Sequence, residues 1–274
     1  MSQRNILPEV GNNNRQKSKK IILTSNFFIY ICAVLTNQLS TMKSFNIISI
    51  IFLAIVACIA AACGGSVSGG KISEGVITYK LDYSESKSIL VPLLPDYMTM
   101  TFKDNNTSML IKGLGGCFVL NAIANKTQKQ NYTAFSTVMG DKDVLISDFG
   151  DTPFGTEPMS DIAISQQPDT MTICGYLCHK AVGYSKQCDR NFTFWYTKDI
   201  DISSDCILSP IKSIDGVLMA FDIVMMGIYM KAKAVSVNHE KVPDETFEKP
   251  TGLNEVSRSE LENKIHTFYD PTQN

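Results

Sequence analysis

The sequence predicts a mainly β protein: a curved antiparallel sheet, half-barrel in form, with few helices and one of them near the C-terminus. Three observations carry this. From Lys71 onward apolar and polar residues alternate with a period of two, segment after segment. The segments are separated by short turns rich in Gly, Asp and Asn. Helical periodicity is scarce until the last twenty residues.

The elements follow in order. In GVITYKLDYSE, Ile77, Tyr79, Leu81 and Tyr83 alternate with Thr78, Lys80 and Asp82, as in a half-buried strand. In YMTMTFKD, Met98, Met100 and Phe102 alternate with Thr99, Thr101 and Lys103; the turn at Asp104-Asn105-Asn106 and the returning TSMLIKG make a hairpin. Strands are expected over 117–125, 132–140 and 143–149, the last two joined at Gly140-Asp141. The stretch GDTPFGTEPMSD, with two prolines, reads as a loop. Strands then follow over 172–185, 191–200, 216–226 and 228–238. At the end, Ser257 and Glu260 form an S-x-x-E capping box for RSELENKIHTF, with Leu261, Ile265 and Phe268 on one face.

A sheet of this kind must bury one face, and one that curls without closing offers an apolar trough on its concave side. The inward residues Ile77, Tyr79, Leu81, Met98, Met100 and Phe102 would line it. Two outcomes stay open: a trough that holds a hydrophobic ligand, and a filled core in a structural or interaction protein that acts through its surface. Methionine suits both, as gap filler and as adaptable binding surface.

The N-terminal part has a different character. Residues 46–62, NIISIIFLAIVACIAAA, form an uncharged apolar run of about 17 residues, at the lower limit for a membrane span. Lys43 precedes it and three alanines close it before Cys63, the plan of a secretory signal peptide. Small residues before a cysteine resemble the bacterial lipobox, which implies lipidation of Cys63 and a membrane attachment through an N-terminal lipid. Cys58, after Ile55-Val56-Ala57, is the competing site; the Gly/Ser tether directly after Cys63 favours the latter. The division is then an extension at 1–41, a lipoprotein signal peptide at 42–62, a tether at 63–70 and one β-rich domain at 71–274. Counting from Met42 gives a signal of ordinary length, and Met42 is expected to be the start. Gly64, not aspartate, follows Cys63, which points to the periplasmic face of the outer membrane.

Four segments in order, EGVITYKLDY, LLPDYMTMTFKDNNTSMLIKG, TICGYLCHKAV with FTFWYTKDI, and VPDETFEKPTGL, resemble the uncharacterised family called domain of unknown function 4412, over roughly Ile72 to Val256. A looser similarity is to the GLPGLI proteins of Bacteroidota, whose signature is absent. The resemblance implies a fold similar to the LolA/LolB class, whose concave face holds acyl chains. It implies no catalytic residues.

Composition excludes other functions. The net charge of −2 and a pI near 5.9 argue against nucleic-acid binding. Eight cysteines suit an exported protein. With a hairpin turning near Arg190, Cys174 falls opposite Cys206, the favoured disulfide; Cys178 and Cys188 would need a bulge to pair. C-x3-C beside His179 lacks the second pair that structural zinc requires, so no metal or other cofactor is expected. A CxxC motif, a G-x-S-x-G elbow and a phosphate loop are all missing, so no enzymatic activity is expected. Asp199 and Asp201 could mimic paired catalytic carboxylates, but read more simply as a solvated strand end.

Overall fold

The computed structural model describes residues 71–86, 91–207 and 209–269. Cys63, the signal segment and the tether lie outside the described residues. Among the described residues, no helix is long and apolar enough to cross a membrane.

The strands are β1 (Glu74–Asp82), β2 (Tyr97–Lys103), β3 (Asn106–Gly113), β4 (Phe118–Asn125), β5 (Gln130–Thr137) and β6 (Lys142–Asp148). After a crossover come β7 (Ala163–Ile173), β8 (Tyr176–Ser185), β9 (Arg190–Thr197), β10 (Val217–Met225), β11 (Ile228–Asn238) and the short β12 (Asn254–Glu255). One α-helix, α1 (Arg258–Tyr269), follows.

All twelve strands belong to one curved, unclosed sheet in the order β12-β6-β5-β4-β3-β2-β1-β11-β10-β9-β8-β7. Neighbours are antiparallel except β12 beside β6. The first strand therefore sits in the middle of the sheet. The chain zigzags outward from β1 to β6, crosses to the far edge, and zigzags back from β7 to β11, which closes onto β1.

The turns follow from local chemistry. Asp104-Asn105, Cys174-Gly175 and Met226-Gly227 are two-residue connections with positive φ at both positions, the geometry that matches strand twist. Glycine supplies the second position in two of them, at no steric cost.

β7 was not expected from the sequence. Its residues AISQQPDTMTI are exposed almost throughout, so no face marks it. It is an edge strand, where Pro168 loses no needed hydrogen bond and a register shift between Gln166 and Thr170 absorbs the ring.

The expected Cys174–Cys206 disulfide is not formed; all five cysteines of the described domain are free thiols. The reason is register. β8 pairs β9 with Ser185 opposite Arg190, so the turn centres before Arg190, and the chain leaves the sheet after Thr197. Cys174 is exposed in its own turn between β7 and β8. Cys206 is buried in a short 3-10 turn whose carbonyl accepts the Thr107 hydroxyl at 2.5 Å.

The main core fills the concave face. It takes the inward residues of nearly every strand, and Phe154 and Met159 from the crossover at 149–162. The β9–β10 connection adds Ile200, Ile202, Cys206, Ile211 and Ile214. α1 adds Leu261 and Ile265. The serine half of the expected capping box forms at its N-terminus: the Glu260 N–H donates to Ser257 Oγ at 3.3 Å. A smaller cluster lies on the back of the sheet, where Ile123, Tyr132, Ala134 and Val144 meet Val242 and Phe247. The segment after β11 thus runs over the back, pairs briefly with β6, and wraps round that edge to place α1 on the concave side.

Candidate functional site

Every residue expected to face inward does so. Ile77, Tyr79, Leu81, Met98, Met100 and Phe102 are all at most 4% exposed. Three covers lie over them: the crossover, the β9–β10 connection and α1. The crossover is held in place by the Met226 N–H, which donates to the Gly155 carbonyl at 2.7 Å, and by Arg258 of α1, which pairs with Glu157 and donates to the Thr152 carbonyl at 3.0 Å.

Beneath the covers, the described residues line three small apolar cavities. The first, about 50 Å³, is lined by Tyr83, Ile111, Phe118, Phe135, Met230 and Ile265 among others. The second, about 40 Å³, shares Ile111, Leu120 and Met225 with the first and adds Met98, Met109 and Phe154. The third, about 20 Å³, shares Met109 with the second and reaches Tyr79, Met100, Leu218 and Phe221. The shared walls make them a row along the concave face. Of the six expected residues, Tyr79, Met98 and Met100 line this row, whereas Ile77, Leu81 and Phe102 are packed into the core.

The tyrosine hydroxyls in the row are satisfied internally. The Tyr79 hydroxyl donates to the Leu218 carbonyl at 2.9 Å and the Tyr83 hydroxyl to the Pro95 carbonyl at 2.9 Å. Burial pushes the Tyr79 phenol far above its usual range, so it stays neutral. The row suits hydrocarbon, which asks nothing of a hydrogen-bonding group.

The residues that could carry other chemistry are dispersed. His179 is half-buried beside Tyr196, ring centres 5.9 Å apart. Asp199 and Asp201 lie beyond β9 in irregular chain. Burial pushes the Cys178 thiol up to about 11 and raises Cys174 and Cys206 as well, which keeps these thiols protonated and poorly nucleophilic at neutral pH. Among the described residues no three His, Cys, Asp or Glu side chains are grouped to hold a metal ion.

No protein-family model matches the chain, and no curated protein matches it. Among solved structures it is similar to PNGF-II in two crystal forms. In space group C2 the TM-score is 0.44 at 14% identity, covering 70% of this chain and 32% of that one. In P21 the TM-score is 0.48 at 14% identity, covering 70% and 33%. This chain spans about a third of the length of the solved chains it matches.

A charged group near one end of β9, β10 and β11 is the other notable feature. Glu85 pairs with Arg190 at 2.8 Å and with Lys231, and the Arg190 guanidinium stacks 3.5 Å over the Tyr229 ring. Asp222 accepts the Thr193 N–H at 2.8 Å, yet burial raises its carboxyl above the ordinary range. The folded state therefore binds this proton more tightly than the unfolded one. The associated stability is complete below the unfolded value, near pH 4, and is lost as pH rises through the folded value. Asp222→Asn, which keeps an oxygen for Thr193, is expected to flatten this decline. Urea denaturation of both proteins at about pH 4 and at neutrality measures it.

Proposed function

We propose that this protein is a lipid-anchored envelope protein, attached through Cys63 to the periplasmic face of the outer membrane. It would bind a hydrophobic ligand, a lipid or acyl chain, under the covers of its sheet and catalyse no reaction. The observation that carries this reading is the row of contiguous, apolar, methionine-rich cavities on the concave face. Unbranched methionines repack at low cost. The row is too small for a resident ligand as it stands, since ligand pockets run ~300–1,000 Å³. Entry of a chain would therefore require the crossover and the methionines to shift outward.

The small cavity volumes favour a second reading: a filled core in an interaction protein that acts through its surface. One experiment separates the two. The unit Gly69–Asn274 holds both core clusters entirely within itself and is compact on its own. It should be purified, extracted for lipid mass spectrometry, and titrated with a fluorescent fatty acid. Binding of the probe is expected, and Leu120→Trp, which fills the junction of the first two cavities, should abolish it without lowering Tm by more than a few degrees. A clean extract with no probe uptake sinks the binder reading and leaves the second.

A further inference from the structure

We propose that the tip of the β5–β6 hairpin, Val138-Met139, is a wedge that docks the domain on an anionic lipid surface. Val138 is 73% exposed and Met139 83%, the two most open large apolar side chains among the described residues. Isolated exposed apolar residues are ordinary. Two in succession at the apex of a braced turn are a different matter. The Val138 N–H donates to the Cys117 carbonyl at 3.0 Å, and the Gly140 N–H to the Thr137 carbonyl at 3.2 Å. The Thr137 hydroxyl donates to Asp141 Oδ2 at 2.7 Å. The turn is thus fixed with its apolar side chains in water.

Two features of the surroundings fit that partner. The tip belongs to the end of the sheet that also carries Tyr97 and Tyr184, 53% and 44% exposed. Tyrosine has an apolar body and a polar edge, the pattern favoured at a membrane interface. Lys142 on β6 follows the tip directly, and Lys112 on β3 lies in the same row across β4 and β5; both are exposed, and neither makes an ion pair among the described residues. Asp141, the acidic group within the turn, is directed at Thr137. An apolar apex beside free cations matches hydrocarbon beneath anionic headgroups.

Position adds a consequence. The described chain starts at the other end of the sheet, where Ile72 bridges to Ile200. Strands of this length hold the two ends ~25 Å apart at ~3.3 Å per residue. The first cavity, at Tyr83 and Phe118, lies at the tip's end. The wedge would therefore bring that cavity against a bilayer while Ile72 stays at the opposite end of the sheet. The lipid contact itself does not depend on the cavity holding a ligand.

The test uses the Gly69–Asn274 unit, whose core is complete, with vesicles of phosphatidylcholine with and without phosphatidylglycerol. Co-sedimentation with the anionic vesicles is expected. Val138→Asp with Met139→Asp should weaken it by about tenfold or more, through lost apolar burial. Lys112→Glu with Lys142→Glu should remove the preference for phosphatidylglycerol, and Val138→Leu with Met139→Leu should keep wild-type binding. The tip is exposed, so these variants should keep wild-type Tm, and the fatty-acid titration reports separately on the cavities. Failure of the wild type to sediment overturns the proposal. So does a doubly charged tip that binds like wild type. Analytical ultracentrifugation that finds a dimer abolished by the charged tip would assign the surface to a second copy instead, and also overturns it.

Discussion

Phe135→Ala is expected to lower the unfolding free energy by about 3–5 kcal/mol, the range for removing a buried aromatic ring. Phe135 is 1% exposed on β5, and its ring meets Phe118 at 6.4 Å and Phe268 at 6.0 Å between centroids. Phe268 belongs to α1 and also packs edge-on against Phe118 at 5.6 Å. The three rings join helix to sheet, so the loss has two parts. One is transfer and cavity energy at the site. The other is detachment of the last turn of α1, a twelve-residue helix that is marginal alone and is joined to the sheet there through Phe268. Urea denaturation should give the first part, and hydrogen exchange at the α1 amides the second. Exchange in α1 unchanged from wild type would show that Leu261 and Ile265 alone retain the helix.

Lys264→Met is expected to cost about 2–3 kcal/mol, below the usual cost of breaking a fully buried pair because water reaches Lys264. Lys264 Nζ lies 2.8 Å from Asp143 Oδ1; the lysine side chain is 35% exposed and the aspartate 1%. The second oxygen, Asp143 Oδ2, is buried without a hydrogen-bond partner. Removing the ammonium leaves a buried carboxylate with no compensation. The Asp143→Leu, Lys264→Met double variant is expected to recover most of the loss, since an apolar pair of similar volume needs no counter-charge. A double-mutant cycle by chemical denaturation measures the coupling; a double variant as unstable as the single would mean that packing, not charge, fixes this contact.

The sheet was readable from the sequence because its strands differ sharply between faces. Ile77, Tyr79 and Leu81 against Thr78 and Lys80 leave one orientation, and the capping serine and the apolar spacing of α1 were equally plain. β7 was not readable, because an edge strand covered by nothing has no apolar face to betray it. The disulfide failed for a related reason. A turn placed about two residues too late shifts every opposing residue beyond it, and period-two patterns fix faces far better than register. Half of the expected trough residues line the cavities. Phe154, Met225 and Ile265 were missed as lining because they come from a loop, a strand end and a helix that only the tertiary structure brings together.

The central place of β1 has a consequence for how the chain is made. Val76 pairs with Asn238, more than half the chain away. While synthesis or export proceeds from the N-terminus, β1 through β6 can assemble, but the outer flank of β1 stays an open edge until β11 emerges. Such distant pairing is slow to form and exposes sticky intermediates. The nascent protein thus depends on being held apart from its neighbours until its last long strand arrives, and no fragment that stops before β11 has a way to seal the middle of its own sheet.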